Sequence, residues 1–127
     1  MSKVMAVRGA TTLTKDDSEE MDQRVKELIQ EIYRVNLIGK EQVVSAFVTA
    51  TADIKSKFPA TSARIGGLED VPILGAQEVD IEGCLPFCIR VLLHVNISDD
   101  HTYANQMRLK SVYLHEAKKL RPDLAGD

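Results

Sequence analysis

The stretch Phe87-Cys-Ile-Arg-Val-Leu-Leu-His-Val95 decides the fold. Nine residues, rich in β-branched and large apolar side chains, are too few for a helix of ordinary length and read as a strand. Its alternation puts Phe87, Ile89, Val91, Leu93 and Val95 on one face and Cys88, Arg90, Leu92 and His94 on the other. A strand with one fully apolar face needs something to cover it. The next signal outward in the chain supplies the cover: Met21, Val25, Leu28, Ile29 and Ile32 recur at intervals of three and four, which places them along one side of a helix. Asp16 or Asp17 suits the cap, Glu19 and Glu20 suit the first turn, and Asn36 with Gly39 suits the end.

Other elements are shorter. Lys3 to Val7 reads as a strand, Gly9 allows a bend or a close backbone approach, and Thr11 to Leu13 continues extended. Val43 to Ala50 is a second strand by its β-branching. Phe58-Pro59 opens a short helix that Gly66-Gly67 closes. Val71 to Leu74 is a third strand, and Glu78 to Ile81 alternates polar and apolar. Beyond Ser98 the pattern weakens; a helical turn over Asp99 to Met107 and an extended segment over Ser111 to Arg121 are expected, with 122–127 as a mobile tail. The 127 residues make one α+β domain, a mixed sheet packed with one long helix. Little chain is left for the sheet's second face, so neighbouring subunits are expected there.

Composition narrows the function classes. Hydrophobic residues are 44% and charged residues 28%, a balance suited to a soluble globule. A net charge of −3 gives no general attraction to nucleic acid or membrane, so an anionic ligand would need locally clustered cations. No run is apolar and long enough to span a bilayer, and the start, MSKVMAV, lacks the pattern of a secretory signal; the cytoplasm is the expected location. Cys84 and Cys88 read as small hydrophobes in a reducing compartment, without a histidine positioned to activate either as a nucleophile. His94, His101 and His115 lack zinc-site spacing, Gly66-Gly67 lacks that of a phosphate loop, and Lys118-Lys119 is too short for nucleic acid; no metal or cofactor is expected.

Arg90 stands out because a charge inside an apolar strand is costly unless it is paired or left in a wet cleft. A salt bridge or an edge position would account for it, and the residues alone lean that way. Glu78 shares a face with Asp80 and Glu82, and Arg8 precedes Gly9 at a strand end; each reads equally as solvated charge. Arg64 and Arg121, taken singly, read as surface cations. Residues alone stop at an α+β domain with unexplained arginines.

Ordered motifs extend that reading. VRGATT (Val7 to Thr12), the acidic start Asp16 to Glu20, FPA (Phe58 to Ala60) followed by Arg64, Val71-Pro72, Gln77-Glu78 with Asp80, CIRV (Cys88 to Val91), VYL (Val112 to Leu114) and LRPDL (Leu120 to Leu124) occur in sequence along nearly the whole chain. In this the chain resembles the monofunctional bacterial chorismate mutases of the trimeric, Bacillus type. The resemblance implies a pseudo-α/β-barrel homotrimer with clefts between subunits, and conversion of chorismate to prephenate without a cofactor, in phenylalanine and tyrosine biosynthesis. It implies that Arg90 and Glu78 are catalytic, and that Arg8 and Tyr113 line the cleft from the same subunit. Phe58, Ala60 and Arg64 correspond to positions contributed by the neighbour, and Leu120 and Arg121 to a segment covering the substrate. Thr61 stands where some members carry lysine, and Leu74-Gly75 where some carry Thr-Cys; Gly75 retains its backbone groups for binding. Two alternatives remain: an enamine or imine deaminase on a similar trimeric scaffold, and a chorismate-binding module without turnover.

Overall fold

The structure is a computed structural model, and it describes residues 2–121. The strands are β1 (Ser2–Thr12), β2 (Val43–Ala50), β3 (Ile73–Gln77), β4 (Cys88–Ser98) and β5 (Val112–Tyr113); the helices are α1 (Ser18–Asn36) and α2 (Pro59–Ile65). The strands form one mixed sheet in the order β3-β2-β4-β1-β5. β4 is central and antiparallel to both β1 and β2, while the outer strands β3 and β5 run parallel to β2 and β1.

The register fixes what each face carries. Val7, Leu93 and Ala46 share one rung, Gly9, Val91 and Val48 the next, and Thr11, Ile89 and Ala50 the third. All are buried on the face that α1 covers. The five helix positions picked out by period, Met21, Val25, Leu28, Ile29 and Ile32, are each fully buried. Of the two candidate caps, Asp17 does the work, its carboxylate accepting from Glu20 N–H at 2.9 Å. The helix ends with Leu37 in the left-handed conformation, and buried Asn36 ties it to the far end of the chain. Asn36 Nδ2 donates to the carbonyls of Ile32 and Lys110, and its Oδ1 accepts from Lys110 N–H at 2.7 Å. α2 is held to α1 by Gln30 Nε2 donating to Gly66 O and by the Tyr33 hydroxyl donating to Gly67 O.

Several expectations are corrected. β1 runs unbroken through Gly9, which serves the close approach and not a bend. A Cβ there would lie 2.8 Å from Ile32 Cδ1 and 3.0 Å from Leu28 Cδ1, so the missing side chain is what lets α1 sit on the strand. Phe87 is outside β4 with φ 50°; its carbonyl accepts from Leu13 N–H in the turn that leads into the strand. The third strand starts at Ile73, because Asp70 takes a positive φ and Val71 N–H bonds Leu68 O in a turn. Glu78 still donates its N–H to Ala50 O, but no strand continues to Ile81. Residues 99–107 form successive turns instead of a helical segment, and only Val112–Tyr113 of the expected terminal strand is extended. A 3-10 helix, His115–Lys119, follows, and it packs Ala117, with Leu120, against Ala10 and Tyr113. The expected tail 122–127 lies outside the described residues.

The sheet's other face is largely uncovered. Val4, Val44, Phe47 and Leu74 are 59%, 43%, 44% and 64% exposed, an apolar area that α1 and α2 do not reach. Placing a branched side chain at Gly9 tests the helix contact. Gly9→Val should lower unfolding free energy by about 1–3 kcal/mol through overpacking against Leu28 and Ile32, measured by urea denaturation; an unchanged midpoint would show that α1 shifts freely on the strand.

Candidate active site

The open face gathers the charged residues singled out in the sequence. Arg8 is paired with Leu92 on β4, and the next rung carries Arg90 between Thr49 and Ala10. Arg8 and Arg90 are therefore diagonal neighbours on adjacent strands, with side chains on the same face and both exposed. Tyr113 pairs with Ala10, which extends the Arg90 rung to the far edge. The 3-10 helix and Leu120 cover that end, bringing Arg121 after them. At the other end, Glu78 follows β3 and reaches back to the same rung.

Glu78 and Arg90 meet there, with Arg90 Nε 3.0 Å from Glu78 Oε2. The Thr49 hydroxyl donates to the same oxygen at 2.5 Å. Thus the salt bridge toward which the sequence leaned for Arg90 does exist, but it engages only part of each group. Among the described residues, Glu78 Oε1 and the two terminal nitrogens of Arg90 have no protein partner. The Arg90 side chain is 50% exposed. An ion pair in that setting adds at most about 1 kcal/mol to stability, too little to explain a guanidinium in the middle of an otherwise apolar strand. Its free donors face the open side, where a ligand can meet them.

The remaining candidates lie elsewhere. A cleft of about 900 Å³ opens between α2 and the β3 edge, lined by Phe58, Ala60, Thr61, Arg64 and Gly75 among others. Pro59 at the first helical position starts α2 here and leaves Phe58 80% exposed at the cleft mouth. Among the described residues Arg64 has no ion pair. Lys57 also lines the cleft, its ammonium held 2.5 Å from Asp22 Oδ1, which in turn accepts from the Ser62 hydroxyl. Leu74 points to the open face beside Phe47, whereas Gly75 borders the cleft. Ala46 N–H bonds Pro72 O and Glu78 N–H bonds Ala50 O, so the even-numbered residues of β3 face β2. By the same alternation Gly75 directs its N–H and C=O outward along the free edge. A Cβ on Gly75 would stand 3.5 Å from Val48 O and 3.9 Å from Ala60 Cβ, so glycine leaves room that a small side chain could occupy.

One chain thus holds two partial sites. Arg8, Glu78, Arg90 and Tyr113 occupy the open face, with Leu120 and Arg121 at its end; Phe58, Ala60, Arg64 and Gly75 border a cleft that none of those six lines. Sequence reading missed Thr49, an ordinary strand threonine until the register sets it beside Arg90. The three histidines are engaged structurally. His94 contacts the Ser45 hydroxyl, His101 contacts Leu37 O, and His115 contacts Glu27. Burial pushes the Cys88 thiol up to about 11, outweighing the opposing charge of Arg90. At neutral pH it is a neutral buried thiol and not a nucleophile.

The chain is an α+β domain with arginines on an open sheet face and a separate cleft lined by Arg64 and Lys57. Comparison with known proteins gives the family. The sequence profile described as Chorismate mutase type I matches residues 4–124. The chain is 37% identical over 123 residues to the chorismate mutase AroH of Bacillus subtilis, covering 96% of this chain and 93% of that protein. It is 41% identical over 122 residues to the chorismate mutase AroH of Thermus thermophilus, covering 95% and 96%. Among solved structures, a chorismate mutase from Clostridium thermocellum matches with TM-score 0.79 and 33% identity, over 90% of this chain and 97% of that one. The chain belongs to the type I chorismate mutases.

The thiol chemistry is directly testable. With a maleimide at pH 7, Cys88 should stay unmodified in the folded protein and react fully in denaturant, as read by peptide mass spectrometry. Rapid native modification of Cys88 would contradict its burial.

Proposed function

We propose that this protein rearranges chorismate to prephenate, and that it does so in a cleft completed by a neighbouring copy of the chain. The observation that carries the reading is the Glu78–Arg90 pair on the open face, with unspent donors on the arginine and an unspent acceptor on the glutamate, in a chain matched along its length by chorismate mutases. That match does not favour the enamine or imine deaminase reading.

Chorismate is a flexible dianion, and its side chain must be held over the ring before a carbon–oxygen bond breaks as a carbon–carbon bond forms. Holding that conformer removes much of the entropic part of the barrier. Arginine suits the work, since its planar fork grips a carboxylate with two hydrogen bonds and stays charged. Arg8 takes one carboxylate; Arg121 and the neighbour's copy of Arg64 add positive potential. As the bond breaks, negative charge gathers on the ether oxygen, and the terminal nitrogens of Arg90 donate to it. Because that charge is larger in the transition state than in bound substrate, the interaction lowers the barrier and does more than tighten binding. Glu78 Oε1 accepts from the ring hydroxyl and fixes orientation. Tyr113 and Leu120 close one side and Leu74 borders the open face, while Phe58, Ala60 and Gly75 of the neighbouring copy's cleft form the wall opposite. The step needs no metal, acid, base or nucleophile.

The two partial sites support a homotrimer. Each subunit offers the arginine half from its open face and the Phe58–Arg64 half from its cleft, and the exposed Val4, Val44, Phe47 and Leu74 provide apolar area for subunits to bury. No helix among the described residues is long and apolar enough to cross a membrane.

Incubation of purified protein with chorismate should consume it and yield prephenate, identified by mass spectrometry, with no ammonia released. Substrate binding without product would favour the non-catalytic module. Arg90→Lys keeps the charge but loses the fork. It should cut kcat by about a hundred- to thousandfold, the usual consequence of losing roughly 3–4 kcal/mol of directed transition-state stabilisation, with an unchanged unfolding midpoint. Near-normal turnover would remove Arg90 from the mechanism. Sedimentation equilibrium should return three times the 14.1 kDa chain mass; a monomer that still turns over chorismate would overturn the shared cleft.

A further inference from the structure

We propose that Thr49 is a positioning residue for the reaction, acting through Glu78 and resting on the assignment of Glu78 and Arg90 given above. Three strands meet at this point. Thr49 and Arg90 are register partners on β2 and β4, and Glu78 is placed by its own N–H bonded 2.9 Å from Ala50 O at the end of the β2–β3 ladder. Both side-chain donors, the Thr49 hydroxyl and Arg90 Nε, converge on Oε2. One carboxylate oxygen is therefore occupied twice while Oε1 has no partner among the described residues.

That asymmetry has a mechanical consequence. A glutamate has three side-chain torsions, and a single contact from a half-exposed arginine leaves it free to rotate, to exchange its oxygens, or to swing onto the terminal nitrogens of Arg90. The second of these outcomes blurs the acceptor; the third removes the donors that the substrate needs. A second anchor on Oε2 opposes all three. Threonine suits the task because branching at Cβ stiffens χ1, and a sheet interior position holds the backbone still, so the hydroxyl arrives from a fixed direction. A hydrogen bond from hydroxyl to carboxylate is charge-assisted and correspondingly strong. Thr49 never touches the substrate in this account. It keeps Glu78 on the Nε side of Arg90, with Oε1 aimed at the open face and both terminal nitrogens available.

The experiment compares Thr49→Val and Thr49→Ser, each on the native and the Glu78→Gln background, with chorismate as substrate. Valine keeps the shape and loses the hydroxyl; serine keeps the hydroxyl. Thr49→Val should lower kcat about tenfold, the effect of one hydrogen bond to a charged group, while KM changes less than kcat. Thr49→Ser should recover most of that loss. On the Glu78→Gln background, Thr49→Val should add less than about twofold, since residues that act as one unit are not additive. Thermal unfolding of all variants accompanies the kinetics. The proposal is overturned if Thr49→Val turns over like the native protein, if serine fails to rescue, or if the valine effect is undiminished without the Glu78 carboxylate. Native turnover by Glu78→Gln alone would instead strike the assignment of Glu78.

Discussion

A five-stranded sheet has two faces, and this chain has one long helix with which to cover them. α1 spends its entire apolar side, Met21 to Ile32, on the face made by Val7, Val48, Ile89, Val91 and Leu93. Nothing of comparable size remains for the reverse. Every further feature follows from that shortage. The uncovered face is where a charged residue can stand in a central strand without being stranded in a dry core, because desolvation would otherwise force it to pair fully or neutralise. It is also where large apolar side chains remain exposed next to those charges.

The polar groups on this face are only partly spent on one another. Arg90 gives Nε to Glu78, Thr49 gives its hydroxyl to the same carboxylate oxygen, and the remaining donors and acceptor are left over. Such an arrangement contributes little to folding at its level of exposure. Its value is directional: groups are pinned on one side and open on the other, so their orientation exists before a ligand arrives. This is the kind of electrostatic preorganisation that a charge-separating rearrangement benefits from, since no bond to the protein has to be made or broken. The division of the candidate site into an open-face half and an α2 cleft half is consistent with the same constraint. In the proposed assembly a neighbouring copy covers this face, and both halves then border one substrate.

Much of the architecture was legible in the residues. The period of α1, the alternation of β4, Pro59 opening α2 and Gly66-Gly67 ending it are local signals, and local sterics and hydrogen bonding decide such elements. The failures were local as well, in places where weak signals met stronger tertiary demands. Gly9 in isolation allows either a bend or a close approach, and only the packing of Leu28 and Ile32 selects the second, within an unbroken strand. The segment after Tyr113 looks extended, yet Ala117 and Leu120 find an apolar seat on Ala10 as a 3-10 turn. The recognisable motifs marked Arg8, Glu78 and Arg90 without saying how they are arranged.

By itself the sequence determined the class of fold, the buried stripe of the helix, the two sides of the central strand and membership in a family. These depend on spacing along the chain, which a sequence states directly. Tertiary structure decided the partnerships. Strand register set Thr49 opposite Arg90, the end of the β2–β3 ladder delivered Glu78 to the same point, and side-chain alternation turned Val48, Ala50 and Gly75 to the α2 cleft on the other face. Register is a relation between segments far apart in the chain, such as Thr49 with Arg90 and Ala10 with Tyr113, settled by the simultaneous packing of both faces. No reading of one segment at a time contains it.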